Sequence, residues 1–164
     1  MLFSKYLKPF VIYNFLLLIL FSISVNTIDF YNIINLLSYI LLHYIFVYLS
    51  IYYYRNLNYI IFFVYGLAID ILLINEIGPH ILSLMTLLIF LNLSKKFIKS
   101  LSSKKMYIII VLILNLIILF EMVLSLILFN YYFDILYFIG LVIISIFISY
   151  PTLLFFKKID NIKK

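Results

Sequence analysis

The sequence predicts an all-α polytopic membrane protein, folded as a compact six-transmembrane-helix bundle that occupies residues 1–164 as one domain. Three observations predict it. Of the 164 residues, 68% are hydrophobic and 11% charged, whereas soluble domains carry about 45–50% apolar and about 25% charged residues. Apolar stretches with at most one charged residue recur six times, each close to the ~20 residues with which a helix crosses a bilayer. All twelve basic residues fall on one side once six spans are drawn. Together these exclude a soluble globular domain and a disordered chain, which would be poor in aromatic and branched apolar residues. A β-barrel is excluded as well, because its strands alternate polar and apolar residues over ~10 positions and these runs are apolar on every face.

Span one covers about residues 9–25, after Lys5 and Lys8. Its end, Ser22-Ile23-Ser24, loosely mimics a signal-peptide cleavage site but is a poor small-x-small match, so the span is expected to be retained. Span two covers 33–54, with His43 at its middle and Arg55 after it. Span three, 58–74, carries Gly66 and Asp70, and ends in the turn Asn75-Glu76-Ile77-Gly78-Pro79-His80. Gly78 permits a tight reversal there, and Pro79 suits the first turn of a helix, where a missing N–H costs nothing. Span four therefore starts at 79 and runs to 94, forming a tight antiparallel hairpin with span three. Span five, 106–129, holds Asn115 and Glu121; span six, 135–156, holds Pro151, which is expected to kink or loosen its last part. Tyrosines near span ends, including Tyr52 to Tyr54 and Tyr131 to Tyr132, are expected to form the interfacial aromatic belt in a chain without Trp.

The charges orient this arrangement. Lys5, Lys8, Arg55, Lys95, Lys96, Lys99, Lys104, Lys105, Lys157, Lys158, Lys163 and Lys164 share one face, while the opposite loops hold only Asp29, Glu76 and Asp134. The positive-inside rule then puts both termini in the cytoplasm. Five or seven spans would separate the central and C-terminal lysine clusters. The net charge of +6 therefore marks topology and contact with anionic lipid at the lysine clusters, and no nucleic-acid partner is expected. The absence of cysteine excludes disulfides, thiolate catalysis and iron–sulfur sites.

Two acids lie inside spans, where a charge must be paired or close to water. Asp70 follows Gly66 at i+4 on one helix face, which reads as a close helix approach with a polar clamp, or else as a proton or cation carrier. Glu121 lies deeper and should face the bundle interior. The two carboxylates could act as a catalytic pair only if close enough to share a proton or a water. His43 and His80 are the only histidines; they are read as hydrogen-bonding partners across helices, with His43 a candidate partner for Asp70 or Glu121, rather than as metal ligands. No catalytic residue, cofactor or metal site is assigned.

The stretch Gly66-Leu67-Ala68-Ile69-Asp70, followed by Gly78-Pro79-His80-Ile81-Leu82, resembles the G-x-x-x-D…G-x-H-x-L signature of the rod shape-determining MreD family. The resemblance extends to length, to six spans with inward termini, and to a proline in the last span followed by lysines, as at Pro151, Lys157 and Lys158. Pro79 stands where the family has a variable residue, and small residues usual between the aspartate and Gly78 are missing. The resemblance implies a non-enzymatic subunit of the cell-elongation complex in the bacterial inner membrane. Its partner would be MreC, with RodA, the transpeptidase paired with RodA, and MreB further away. It also implies a fold similar to the substrate-binding subunits of vitamin transporters. Gly66, Asp70, Gly78, Pro79, His80, Glu121 and Pro151 are the candidate structural or partner-contact residues. A small-solute binding or transport subunit of the same shape is the alternative. Lipoprotein signal peptidases have four spans and a different aspartate motif, and CDP-alcohol phosphatidyltransferases need further aspartates where this chain has Ile74.

Overall fold

A computed structural model describes residues 2–26, 32–53, 56–94, 97–98, 101–130 and 135–161. The described residues form six helices and no strand: α1 (Leu2–Asn26), α2 (Asn32–Tyr52), α3 (Leu57–Ile69), α4 (Pro79–Leu93), α5 (Ser103–Phe129) and α6 (Ile135–Asn161). Asp29, Arg55, Lys95, Lys96, Lys99, Asp134, Lys163 and Lys164 lie outside the described residues, as do Tyr54, Tyr131 and Tyr132. Three segments are long and apolar enough to cross a membrane: Ile33–Tyr52, Lys105–Phe129 and Ile135–Asp160. Pro9–Ser24, Leu57–Leu72 and Pro79–Leu93 are apolar but shorter. The 15 residues of α4 give about 22 Å of helix at 1.5 Å per residue, against about 30 Å of hydrocarbon.

The element boundaries differ from the sequence expectation in two informative places. The sequence predicts one helix through residue 74, whereas α3 ends at Ile69 and opens into a π-helical segment, Asp70–Ile74, that stops at Asn75 in the left-handed conformation. The wider turn begins at Asp70, whose side chain is engaged by the next helix rather than by its own. The last helix was expected to end near 156. It instead passes Pro151 and runs to Asn161, where Asp160 is tied into the bundle.

α2 is the hub and packs against all five other helices, α1, α3, α4, α5 and α6. From Leu42 to Ser50 each of its residues is buried, as befits a helix apolar all round and enclosed on all sides. The peripheral helices are two-faced in burial but not in polarity. On α5, Ile110, Leu114, Ile117 and Glu121 are buried, while Ile108, Leu112, Leu116 and Phe120 form an exposed row at i+4 spacing. An outward face as apolar as the core requires an apolar solvent, which is the physical content of the membrane assignment.

α3 and α4 pack as a hairpin whose backbones approach closely at Gly66. A Cβ placed on Gly66 would lie 2.9 Å from Ile81 Cα and 3.1 Å from Ile81 N. Those are backbone atoms, which cannot swing aside. Gly66→Ala is therefore expected to destabilise the protein by about 2 kcal/mol, the usual scale for overpacking. Gly140 has no atom within 4 Å of its Cβ position, so Gly140→Ala should be neutral or slightly stabilising in a helix interior. Thermal unfolding of the two variants in the same detergent checks the contrast.

Tyrosine has a second role that the belt reading missed. Tyr13, Tyr44 and Tyr48 are 0%, 0% and 2% exposed, so they belong to the core and not to an interfacial belt. The hydroxyls of Tyr13, Tyr48 and Tyr53 donate to the Asp160 carboxylate at 2.9, 2.5 and 2.5 Å. Tyr13 also reaches the Phe156 carbonyl at 3.2 Å. One carboxylate near the end of α6 thus fastens α1, the end of α2 and α6 together. Each phenol buries a ring and still satisfies its polar tip.

Candidate functional site

The site is built on the start of α4. A helix begins with backbone N–H groups that have no intrahelical acceptor. Here the accounting is complete. Pro79 has no N–H, and Leu82 N–H is already in helical register with the Gly78 carbonyl at 2.9 Å. The remaining donors all end on Asp70: Gly78 N–H at 2.9 Å on Oδ2, His80 N–H at 3.0 Å on Oδ1 and Ile81 N–H at 3.2 Å on Oδ2. Asp70 is 0% exposed, and a negative charge at a helix N-terminus is favourable. Gly66 lets α3 come close enough for this, and Gly78, with φ of +157° and ψ of −61°, supplies a conformation that side-chain-bearing residues rarely adopt. Asp70 therefore caps α4 from a different helix.

A fourth bond leads onward. His80 Nδ1 lies 2.8 Å from Asp70 Oδ1, and because that carboxylate already accepts three amides, the ring nitrogen is the donor. The other face of the His80 ring turns to the second carboxylate. Its Nε2 is 3.3 Å from the Tyr39 hydroxyl and 3.9 Å from Glu121 Oε2. Tyr39 donates to Glu121 Oε2 at 2.6 Å, and Ser83 donates to Oε1 at 2.5 Å. His43 Nε2 lies 3.0 and 2.9 Å from the two Glu121 oxygens, while its Nδ1 is 2.8 Å from the Tyr39 carbonyl.

Proton positions follow from donor and acceptor types. A carbonyl only accepts, so His43 Nδ1 carries a hydrogen. The contact from Nε2 to Glu121 then needs a second proton held between ring and carboxylate. Residues of α2, of the α3 extension, of α4 and of α5 thus form one chain of hydrogen bonds: Asp70, His80, Tyr39, Glu121, His43 and Ser83. The two carboxylates do not share a proton, because an imidazole stands between them. Among the described residues, no group of three or more His, Cys, Asp or Glu side chains is placed to hold a metal ion.

Of the residues singled out from sequence, Gly66, Asp70, Gly78, Pro79, His80 and Glu121 come together here. Pro151 does not; it is exposed on α6, next to an apolar groove that Leu16, Ile45 and Phe155 also line. Asn115 bonds Ser145 of α6 at 3.0 Å instead of reaching Glu121. Tyr39 and Ser83 were not foreseen. Ser83 stands one helical turn after His80, a spacing that sequence alone does offer.

Above the network, between α1, α2, α4, α5 and α6, lies a cavity of about 320 Å³ lined by Ser24, Asn35, Tyr39, His80, Met122 and Tyr137, among others. No family model matches the chain, and neither a curated protein nor a solved structure does.

Proposed function

We propose that the chain is an MreD-type subunit of the cell-elongation complex, a non-enzymatic protein of the bacterial inner membrane that binds MreC and helps control cell shape through peptidoglycan synthesis. RodA, its partner transpeptidase and MreB would be linked to it indirectly. The observation that carries the reading is the convergence of Gly66, Asp70, Gly78 and His80, the residues of the G-x-x-x-D…G-x-H signature, into one cap. All six helices cross the bilayer in this reading, both termini are cytoplasmic, and the bundle is of the kind used by the substrate-binding subunits of vitamin transporters. The short α4 would be accommodated by local thinning of the bilayer.

The topology has a direct test, since the chain has no native cysteine. Glu76→Cys, at an exposed position in the α3–α4 turn, is expected to react with a membrane-impermeant maleimide added to intact spheroplasts. Ser102→Cys, exposed before α5, should react only after permeabilisation. Labelling of both from outside would remove the six-span arrangement. The functional test is depletion in the native organism with cell width as readout: rounding or widening is expected, and cells that keep width and shape contradict the reading.

One observation favours the alternative of a small-solute binding or transport subunit, namely the cavity floored by Tyr39 and His80. Retention of a small molecule through purification, together with normal cell shape on depletion, would move the assignment there.

A further inference from the structure

We propose that the apolar groove between α1, α2 and α6 seats one acyl chain of an anionic phospholipid, whose headgroup is held by Lys157 and Lys158. The inference does not rest on the MreC reading and survives its failure; it needs only a chain embedded in a bilayer.

Shape and polarity define the seat. The groove has a volume of about 330 Å³; Leu41 and Ile45 of α2 form its floor, Leu16 and Leu20 of α1 one wall, and Pro151 and Phe155 of α6 the other. The one hydroxyl in the lining, on Thr152, donates to the Ile148 carbonyl at 2.7 Å, which leaves no free side-chain donor for a polar ligand. The lining therefore suits a hydrocarbon. Tyr13 closes the groove toward the lysine end: its ring meets Phe156 edge-on at 5.0 Å, and its hydroxyl binds the Phe156 carbonyl and Asp160. A chain seated in the groove leaves past Phe155, which is 53% exposed.

Charge selects the lipid. Pro151, Phe155 and Lys158 follow one another at i+4 and i+3 on one face of α6, and Lys158 stands about 4.5 Å further along the helix axis than Phe155. Lys157 and Lys158 are both exposed, and among the described residues neither pairs with an acid. The carboxylate closest in sequence, Asp160, is already engaged by the hydroxyls of Tyr13, Tyr48 and Tyr53. Two ammonium groups without a counter-ion thus stand at the exit of an apolar slot, the charge pattern with which basic sites at a membrane surface hold acidic headgroups. The second acyl chain of the lipid stays in the surrounding bilayer.

The chain has no tryptophan, so a single introduced one reports on the lipid beside it. Full-length Phe155→Trp is reconstituted in vesicles of phosphatidylcholine with rising fractions of phosphatidylglycerol, one lipid or the other brominated at mid-chain, and fluorescence quenching gives the relative affinity of the two lipids at position 155. Phe120→Trp is the control, on an apolar groove between α4 and α5, about 22 Å along α5 from Lys105. The expected result is a preference for phosphatidylglycerol of about fivefold or more at position 155, the scale of one lysine at a membrane surface, and none at position 120. Adding Lys157→Gln and Lys158→Gln should remove the preference while the other basic residues stay in place. Ile19→Trp, on the same groove, serves as reporter if Phe155→Trp does not fold by circular dichroism. Equal affinity for the two lipids at position 155, an equal preference at positions 155 and 120, or a preference that survives the loss of both lysines would each overturn the proposal and leave the groove to a second copy or a protein partner.

Discussion

Asp70→Ala is expected to be among the most damaging single substitutions in this protein, lowering stability by about 4 kcal/mol. The reason is the number of donors that lose an acceptor at once. Gly78, His80 and Ile81 N–H and the His80 ring all end on this carboxylate, and each buried donor left unmade costs about 1–3 kcal/mol. Some of that loss is recovered if the turn relaxes toward water, which is why the sum stays below the arithmetic maximum. Against a typical total stability of about 5–15 kcal/mol, the variant should give poor yields and a much lower unfolding midpoint in detergent. Asp70→Asn is expected to fall between alanine and the native residue, because its one oxygen keeps some of the amides while its NH2 is turned against the others. A midpoint for Asp70→Ala within a degree of the native protein would show that the cap is not what holds α4.

Glu121 gives the second large effect and a sharper contrast. Glu121→Ala strands the Tyr39 hydroxyl, Ser83 Oγ and His43 Nε2 around an empty space, a loss of about 3–5 kcal/mol on the scale of a broken buried pair. Glu121→Gln should cost far less, about 1 kcal/mol. Its carbonyl oxygen, at the Oε1 position, accepts from Ser83, and its NH2, at the Oε2 position, donates to the Tyr39 oxygen and to a His43 Nε2 that no longer needs a proton. Unfolding midpoints for the two variants decide the matter, and equal losses would argue against the proton placement derived from the His43 Nδ1 bond to the Tyr39 carbonyl.

These two residues also show how far the sequence can be read. Gly66, Asp70, Gly78 and Pro79 are close in the chain, and turn chemistry plus helical spacing lead to a hairpin with a polar clamp, which is how the α3–α4 corner is built. The helix positions were legible for the same reason: expected spans of 33–54 and 79–94 compare with α2 at Asn32–Tyr52 and α4 at Pro79–Leu93. The rotation of each helix was not. α5 and α6 are apolar on every face, so nothing in their composition separates the Ile110 and Leu114 side from the Ile108 and Leu112 side. Whether Glu121 would meet His43, His80 or Asn115 depends on that rotation. Asp160 lies beyond the expected end of span six and its partner Tyr13 is 147 positions away, so nothing local in the sequence marks the pair, and a phenol reads as belt or core with equal ease. The π-helical opening at Asp70–Ile74 left no signal either, since it arises from the engagement of Asp70 by another helix.

The measurement closest to the central claim is affinity purification of the tagged chain from native membranes, with MreC quantified in the eluate. The account predicts that MreC is recovered with the native protein and with Gly140→Ala, and that Gly66→Ala reduces its recovery in proportion to the loss of folded protein. Normal yields of folded native chain with no MreC above the level of an untagged control would contradict it.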